Sequence, residues 1–205
     1  MSVFFTDTDC EMNYTDAEEL GMHVIGMPYT IKNKEYVYDY GKNIDIKQFY
    51  EDMRAGEIAT TSALNSQDYI DYFEPIFAAG EDILYVHFSS ELSATFDHMQ
   101  TALDILKEKY PERKVTTFDT GNICVGAGIQ AIEACKLHNA GASDEEVIEF
   151  LKEFKRCGFG VLITSDCHDG TKLDLGREDA RQLLLRCGFK EQFILTDSGF
   201  EPIPL

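Results

Sequence analysis

The segment "DILYVHFSSELSATF" (residues 82–96) contains the transition that decides the fold. An apolar run from Ile83 to Phe88 has the composition of a buried strand, and apolar residues at helical spacing begin near Leu92. Four hydroxyl side chains lie at the junction: Ser89, Ser90, Ser93 and Thr95. The pattern predicts a β–α unit whose hydroxyls lie at the carboxyl end of the strand, where open parallel sheets bind ligands.

Strand and helix patterns alternate along nearly the whole chain. Apolar runs such as "SVFFTD", "MHVIGMPYTI", "KVTTFD", "FGVLITSD" and "QFILTD" are separated by amphipathic segments. Two capping-box patterns, Thr15 with Glu18 and Ser143 with Glu146, predict helix starts. We therefore predict an α/β fold: a three-layer α/β/α domain with a mostly parallel sheet over residues 1–155, plus a short α/β C-terminal extension over residues 156–205.

Composition excludes several classes of partner. The 205 residues carry a formal net charge of −19, which disfavours binding to nucleic acid and to anionic membranes. No apolar run approaches the ~18 residues of a membrane span, and the acidic N-terminal segment does not have the pattern of a signal peptide. The six cysteines form no CxxC pair, which is typical of reduced thiols. We expect a cytoplasmic protein.

A second cluster of hydroxyl residues, "TTSALNS" (residues 60–66), also precedes a helix pattern. Hydroxyls next to the free N–H groups of helix N-termini suit a carboxylate or a phosphate. Ordinary N-capping is the more common explanation of such residues, because Ser, Thr and Asn are the preferred N-caps. The spacing alone leaves both interpretations open.

Four motifs resemble the first domain of the DegV family of fatty-acid-binding proteins. In chain order they are "TDTD" (6–9), "TTSALNS" (60–66), "SSELSAT" (89–95) and "FDTGNICVGAG" (118–128). The resemblance covers about residues 2–155. In one motif the chain departs from the family's "SGT", because Ala94 replaces a glycine.

The DegV resemblance implies a bound fatty acid as the ligand and no chemistry by the binding protein itself. The carboxylate would be held by Thr61 and Ser93, with Ser62 and Thr95 as further candidates. It also implies that the acid is presented to a fatty acid kinase subunit. No other cofactor is expected.

Residues 156–205 are similar to the C-terminus of the histidinol phosphatases of the polymerase-and-histidinol-phosphatase (PHP) family. The motif "SDCHD" offers Asp166 and His168 as candidate ligands of a divalent metal such as Zn²⁺ or Mn²⁺. The N-terminal HxH motif of that family has no match in this chain, so we do not expect a resident metal. Two alternatives to lipid binding therefore stay open: a metal-dependent phosphoesterase, and a fusion of fragments without function.

Overall fold

The computed structural model describes residues 2–156, 162–163, 176–196 and 199–205. The chain divides into two compact units, Met1–Phe154 and Lys155–Leu205. The candidate ligand-binding residues all belong to the first unit. Among the described residues, no helix has both the length and the apolar character needed to cross a membrane.

The first unit alternates strands and helices, as the sequence predicts. In chain order its elements are β1 (Val3–Asp7), α1 (Tyr14–Leu20), β2 (His23–Ile25), β3 (Pro28–Ile31), β4 (Lys34–Val37), α2 (Ile46–Arg54), β5 (Thr60–Thr61), α3 (Ser66–Ala78), β6 (Ile83–His87), α4 (Thr95–Lys109), β7 (Val115–Asp119), α5 (Val125–Asn139) and α6 (Asp144–Arg156). A 3-10 helix, Ser90–Leu92, occupies the turn between β6 and α4.

The central sheet has the strand order β2-β1-β6-β7, and each neighbouring pair is parallel. Val3 of β1 lies opposite Ile83 of β6, and Ile83 lies opposite Val115 of β7. All four strands therefore end at the same edge of the sheet. The prediction of an α/β fold with a mostly parallel sheet is confirmed.

Alternating side chains of β1 and β6 build a core on each face of the sheet. Phe4 and Leu84 join a cluster with residues of α1, α5 and α6, whereas Phe5 and Tyr85 join a cluster with residues of α3 and α4. The five residues of β6 are all buried, which explains the continuous apolar run in the sequence. Helices on both faces give the three layers.

The segment "MHVIGMPYTI" forms two strands, so its interpretation as one strand was wrong. β2 joins the parallel sheet, and β3 joins a separate antiparallel sheet with the order β4-β3-β5. Gly26 lies at the break, where a Cβ atom would meet the side chain of Val37 at 2.3 Å and the carbonyl of Tyr38 at 2.8 Å. Only glycine permits this close approach of the two segments.

One of the two capping-box predictions is confirmed and the other is wrong. Ser143 and Glu146 form the predicted capping box: the backbone N–H of each donates to the side chain of the other. The box predicted at Thr15 was wrong, because α1 begins at Tyr14 after Asn13, whose side chain makes no capping bond. The observed N-cap, Asn13, lies two residues before Thr15, and this shift of the helix start removes the predicted geometry.

The second unit contains α7 (Arg177–Arg186), β8 (Glu191–Thr196) and β9 (Gly199–Pro204). The pattern of "REDARQLLLRCGF" predicts a helix and that of "QFILTD" a strand, and both are present. β8 pairs antiparallel with β9. β9 was missed because its sequence, "GFEPIP", contains two prolines. The strand predicted at residues 159–166 lies mostly outside the described residues.

Gly128 of α5 provides a test of how closely this helix packs on the segment that follows β1. A Cβ atom at Gly128 would meet the carbonyl oxygen of Glu11 at 2.3 Å, so Gly128→Ala should lower the free energy of unfolding by about 1–3 kcal/mol. Gly126→Ala is the matched control, since its Cβ would meet only the Asn122 side chain, at 3.3 Å. Urea denaturation measures both; equal stability of the two variants would contradict the close packing.

Candidate ligand-binding site

The carboxylate of Asp7 organises the carboxyl edge of the sheet. Asp7 ends β1 and is fully buried. Its Oδ1 accepts hydrogen bonds from the backbone N–H groups of Asp9 and Cys10, at 3.0 and 3.1 Å. Its Oδ2 accepts from the Tyr85 hydroxyl at 2.9 Å and from the backbone N–H of Phe88 at 3.2 Å. One side chain thus fixes the turn after β1 against the end of β6.

Burial raises the pKa of the Asp7 carboxyl group. Desolvation, together with the nearby Asp9 charge, raises the pKa of Asp7 from 3.8 to about 7, although the Tyr85 and Phe88 hydrogen bonds oppose the shift. The folded protein therefore binds a proton at Asp7 more tightly than the unfolded chain does.

Asp119 plays a similar part at the end of β7. Its Oδ2 accepts hydrogen bonds from the backbone N–H and the hydroxyl of Ser90, at 3.1 and 2.5 Å, and its Oδ1 accepts from the N–H of Gly121 at 2.6 Å. Burial raises the pKa of Asp119, but the hydrogen bonds from Ser90 and Gly121 outweigh it and hold the pKa below its usual value. Asp119 thereby anchors the start of the segment "SSELSAT".

The two hydroxyl-rich segments meet through Thr95. Its hydroxyl is 3.0 Å from the Tyr69 hydroxyl and donates to the carbonyl oxygen of Leu64 at 3.5 Å. Leu64 belongs to "TTSALNS" and Tyr69 to α3, the helix that follows it. Thr95 is only 1% exposed, so its hydroxyl joins the segments from within the protein.

A cavity of about 350 Å³ opens beside this edge of the sheet. Its walls come from the turn after β1, from β3, β5 and α2, and from the residue before α5. The apolar and aromatic lining residues are Met27, Pro28, Tyr29, Tyr38, Ile44, Ile46, Phe49 and Tyr50; the more polar ones are Thr8, Asp9, Glu11, Thr61 and Cys124. Its size and mostly apolar wall are typical of small-molecule sites, which range over ~300–1,000 Å³.

The four predicted ligand-binding residues have different surroundings. Thr61 lines the cavity, is exposed, and its hydroxyl makes no hydrogen bond within the described part of the chain. Ser62 is exposed beside it, and its backbone N–H donates to Pro28 at 3.4 Å. Ser93 is partly exposed, and its Oγ accepts from the N–H of Thr95 at 3.2 Å. Over the described residues, Ser62, Ser93 and Thr95 are not part of the cavity wall.

Sequence reasoning missed most of the wall around Thr61. The sequence indicates packing or interface roles for Tyr36, Tyr38, Tyr40 and Tyr50, but Tyr38 and Tyr50 line the cavity. Tyr29, which the sequence does not single out, lines it as well. Asp9 was also missed; it follows Asp7 in the motif "TDTD", whose alternation of acid and hydroxyl is a signal for a polar turn at a strand end. Nothing in the sequence brings α2 to this turn.

The candidate metal ligands Asp166 and His168 lie outside the described residues, so their arrangement is untested. Over the ranges that the structure describes, no group of three or more His, Cys, Asp or Glu side chains could hold a metal ion.

A sequence model of the family described as "Uncharacterised protein, DegV family" matches residues 3–167. This chain belongs to the DegV family. A DegV domain-containing protein of Clostridium perfringens is 31% identical to it over 153 residues, which are 75% of this chain and 53% of the relative. The chain spans about half the length of the curated relatives it matches.

Solved structures of DegV-family proteins share the fold. A DegV fatty acid binding protein from Bacillus subtilis has a TM-score of 0.68 at 22% identity, covering 98% of this chain and 70% of its own. The Fatty Acid Kinase B3 protein of Streptococcus pneumoniae, loaded with linoleic acid, has a TM-score of 0.60 at 21% identity, covering 76% and 55%. At these sequence identities, the similarity shows that the fold is shared and nothing more.

The raised pKa of Asp7 predicts a particular dependence of stability on pH. Because the folded-state pKa of about 7 exceeds the unfolded value of 3.8, the free energy of unfolding should fall as the pH rises from about 4 to 7, and this contribution should then level off. Asp7→Asn should shrink the difference between pH 5 and pH 8. Urea denaturation at both pH values measures it.

Asp119→Asn is the control, since the pKa of Asp119 is lowered and the residue stays ionised across this range. A wild-type protein more stable at pH 8 than at pH 5 would contradict the assignment of a protonated Asp7.

Proposed function

We propose that this DegV-family chain binds a fatty acid, with the acyl chain in the 350 Å³ cavity and the carboxyl group at its hydroxyl-bearing wall. The observation that carries the proposal is the Thr61 hydroxyl. It lines an otherwise mostly apolar cavity and, in the part of the chain that the structure describes, makes no hydrogen bond that would occupy it. A free hydroxyl beside apolar surface suits an amphiphile whose polar end accepts a hydrogen bond.

The apolar side chains of the cavity wall suit the long hydrocarbon tail of a fatty acid. Ile44, Ile46 and Phe49 face the same cavity as Met27 and Tyr29. Each methylene group transferred from water to such surface contributes roughly 0.8 kcal/mol. The tail would thus supply most of the affinity, and the head group would supply orientation.

The second hydroxyl segment contributes to the head-group site in a different way. The Ser93 oxygen accepts a hydrogen bond from Thr95 N–H, and its own hydroxyl proton stays available to a ligand. The buried Thr95 hydroxyl already bonds Tyr69 and Leu64. Ser93 is not part of the cavity wall that the described residues form, so it can reach only a carboxyl group that projects beyond that wall. We therefore assign Thr61 to the ligand contact on the wall, Ser93 to a second contact outside it, and Thr95 to positioning.

Proteins with the same fold support the choice of ligand. They include a stearic acid-binding protein from Eubacterium ventriosum, with a TM-score of 0.66 and 17% identity, and the Streptococcus pneumoniae protein loaded with linoleic acid. The name of the latter also supports a fatty acid kinase as the partner to which the bound acid is presented. Such an exchange belongs in the cytoplasm, the location we propose.

The similarity of residues 156–205 to PHP phosphatases remains a prediction. The DegV family match extends to residue 167 and so overlaps the start of that segment, including Asp166. The proposed function rests on residues 2–154 alone.

Removal of the Thr61 hydroxyl tests the site. Thr61→Val keeps the shape and the β-propensity of the side chain but removes the hydroxyl. It should weaken fatty acid binding about 5–10-fold, through the loss of about 1 kcal/mol of hydrogen bonding. Thr61→Ser keeps the hydroxyl and should bind fatty acid like the wild type. The double variant Thr61→Ala, Ser93→Ala should lose retained lipid. Native mass spectrometry of gently purified protein and titration with oleate measure these effects.

Ser62→Ala is the matched control, because Ser62 neighbours Thr61 but is not part of the cavity wall among the described residues. Undiminished lipid retention in the double variant would overturn the head-group site. No bound or binding fatty acid in the wild type would overturn the function itself.

A further inference from the structure

The cavity wall carries acidic side chains where a carboxylate ligand has to bind. Asp9 and Glu11 both line it, and no lysine or arginine of the described residues does. A fatty carboxylate would therefore enter next to fixed negative charge, in a protein of net charge −19. Two carboxylates that share a desolvated site cannot both stay ionised without a large cost.

Asp9 and Glu11 differ in their exposure to water. Glu11 is exposed, so water can solvate its carboxylate. The Asp9 carboxylate is mostly buried and has no hydrogen bond or ion pair among the described residues. Asp9 is thus an acid on the wall whose two carboxylate oxygens lack a partner among the described residues.

The backbone fixes Asp9 firmly in the cavity wall. Its N–H donates to Oδ1 of Asp7 at 3.0 Å, and its carbonyl oxygen accepts from the N–H of Cys124 at 2.7 Å. The neighbouring Thr8 hydroxyl accepts from the N–H of Met27 at 2.9 Å and keeps a proton to donate. An acid and a hydroxyl therefore lie side by side on the wall.

We propose that Asp9 is a head-group residue that binds the fatty acid carboxyl through a shared proton, so that binding takes up one proton from solution. This inference rests on the proposed function. Before binding, Asp9 is ionised and the ligand is a carboxylate. In the complex one added proton lies between an Asp9 oxygen and a ligand oxygen, and the pair carries a single negative charge, which the hydroxyls of Thr8 and Thr61 solvate.

The surroundings of Asp9 favour this proton. Burial, followed by the charge of Glu11, raises the pKa of Asp9 from 3.8 to about 6 in the unliganded protein. A second carboxylate brought beside it would raise the pKa further. Proton uptake is therefore expected at any pH that lies above about 6 and below the pKa of the complex.

Other titratable groups lie close to Asp9 or line the same cavity. Burial raises the pKa values of the Cys10 thiol and of the Tyr29, Tyr38, Tyr40 and Tyr69 phenols, so these groups stay neutral between pH 5 and 8. Among the described residues, the other titratable neighbours are Asp7, Glu11, Tyr50 and Cys124. Asp7 has a pKa of about 7 and titrates in the same range, so the experiment has to separate it from Asp9.

Oleate below its aggregation concentration is the probe. Isothermal titration at pH 7 in two buffers of different ionisation enthalpy counts the protons taken up. We expect close to one proton for the wild type, with an affinity that falls by up to about tenfold per pH unit above pH 6. Asp9→Asn should bind oleate with little proton uptake and a nearly flat pH profile. It should bind more tightly than the wild type at pH 8, since it lacks the repelling charge.

Two further variants separate the proton at Asp9 from protons on the neighbouring acids. Glu11→Gln should retain the proton uptake and shift the pH profile downward, because the Glu11 charge helps to raise the pKa of Asp9. Asp7→Asn should retain uptake at Asp9. Oleate binding without proton uptake, or uptake that persists in Asp9→Asn and disappears in Asp7→Asn, would overturn the role of Asp9. Absence of oleate binding at every pH would instead overturn the proposed function.

Discussion

The buried carboxylate of Asp7 is the constraint on which the carboxyl edge of the sheet depends. Four donors converge on its two oxygens, and they come from the turn after β1 and from β6 and the residue that follows it. The Tyr40 hydroxyl adds bonds to the carbonyl oxygens of Asp7 and Cys10, at 2.7 and 3.0 Å. A group with this many partners sets the conformation of a turn, and that turn carries Thr8 and Asp9 into the cavity wall.

The hydroxyl-rich segments are connected to this edge by separate bonds. Asp119 holds Ser90 at the start of one segment, and Thr95 at its end bonds Leu64 of the other. The segments therefore contact each other although they lie far apart in sequence. The spacing leaves N-capping and ligand binding as alternatives, and the structure shows a different situation at each residue. Asn65 forms a capping box with Asp68, and Thr95 bonds within the protein. The Thr61 hydroxyl lacks a partner in the described ranges.

The cavity wall combines apolar surface with two acidic side chains. Hydroxyls supply hydrogen bonds to a carboxyl group, but Asp9 and Glu11 add negative charge beside it. A buried acid with a raised pKa can remove that charge by taking up a proton, as paired carboxyl groups do in other sites. The acidic wall and the acid-binding proposal are compatible on this basis, and the affinity then depends on pH.

The sequence by itself determined the elements that depend on neighbouring residues: the buried strand β6, the helices on either side of the sheet, the capping box at Ser143, and the family. Each of these follows from periodicity or from motifs a few residues long. The cavity depended on contacts that short patterns do not encode. The break at Gly26 turns β3 into another sheet, β5 pairs with β3, and α2 covers the space beside Asp9. Only the tertiary structure could decide these features, because they depend on contacts between segments distant in the chain.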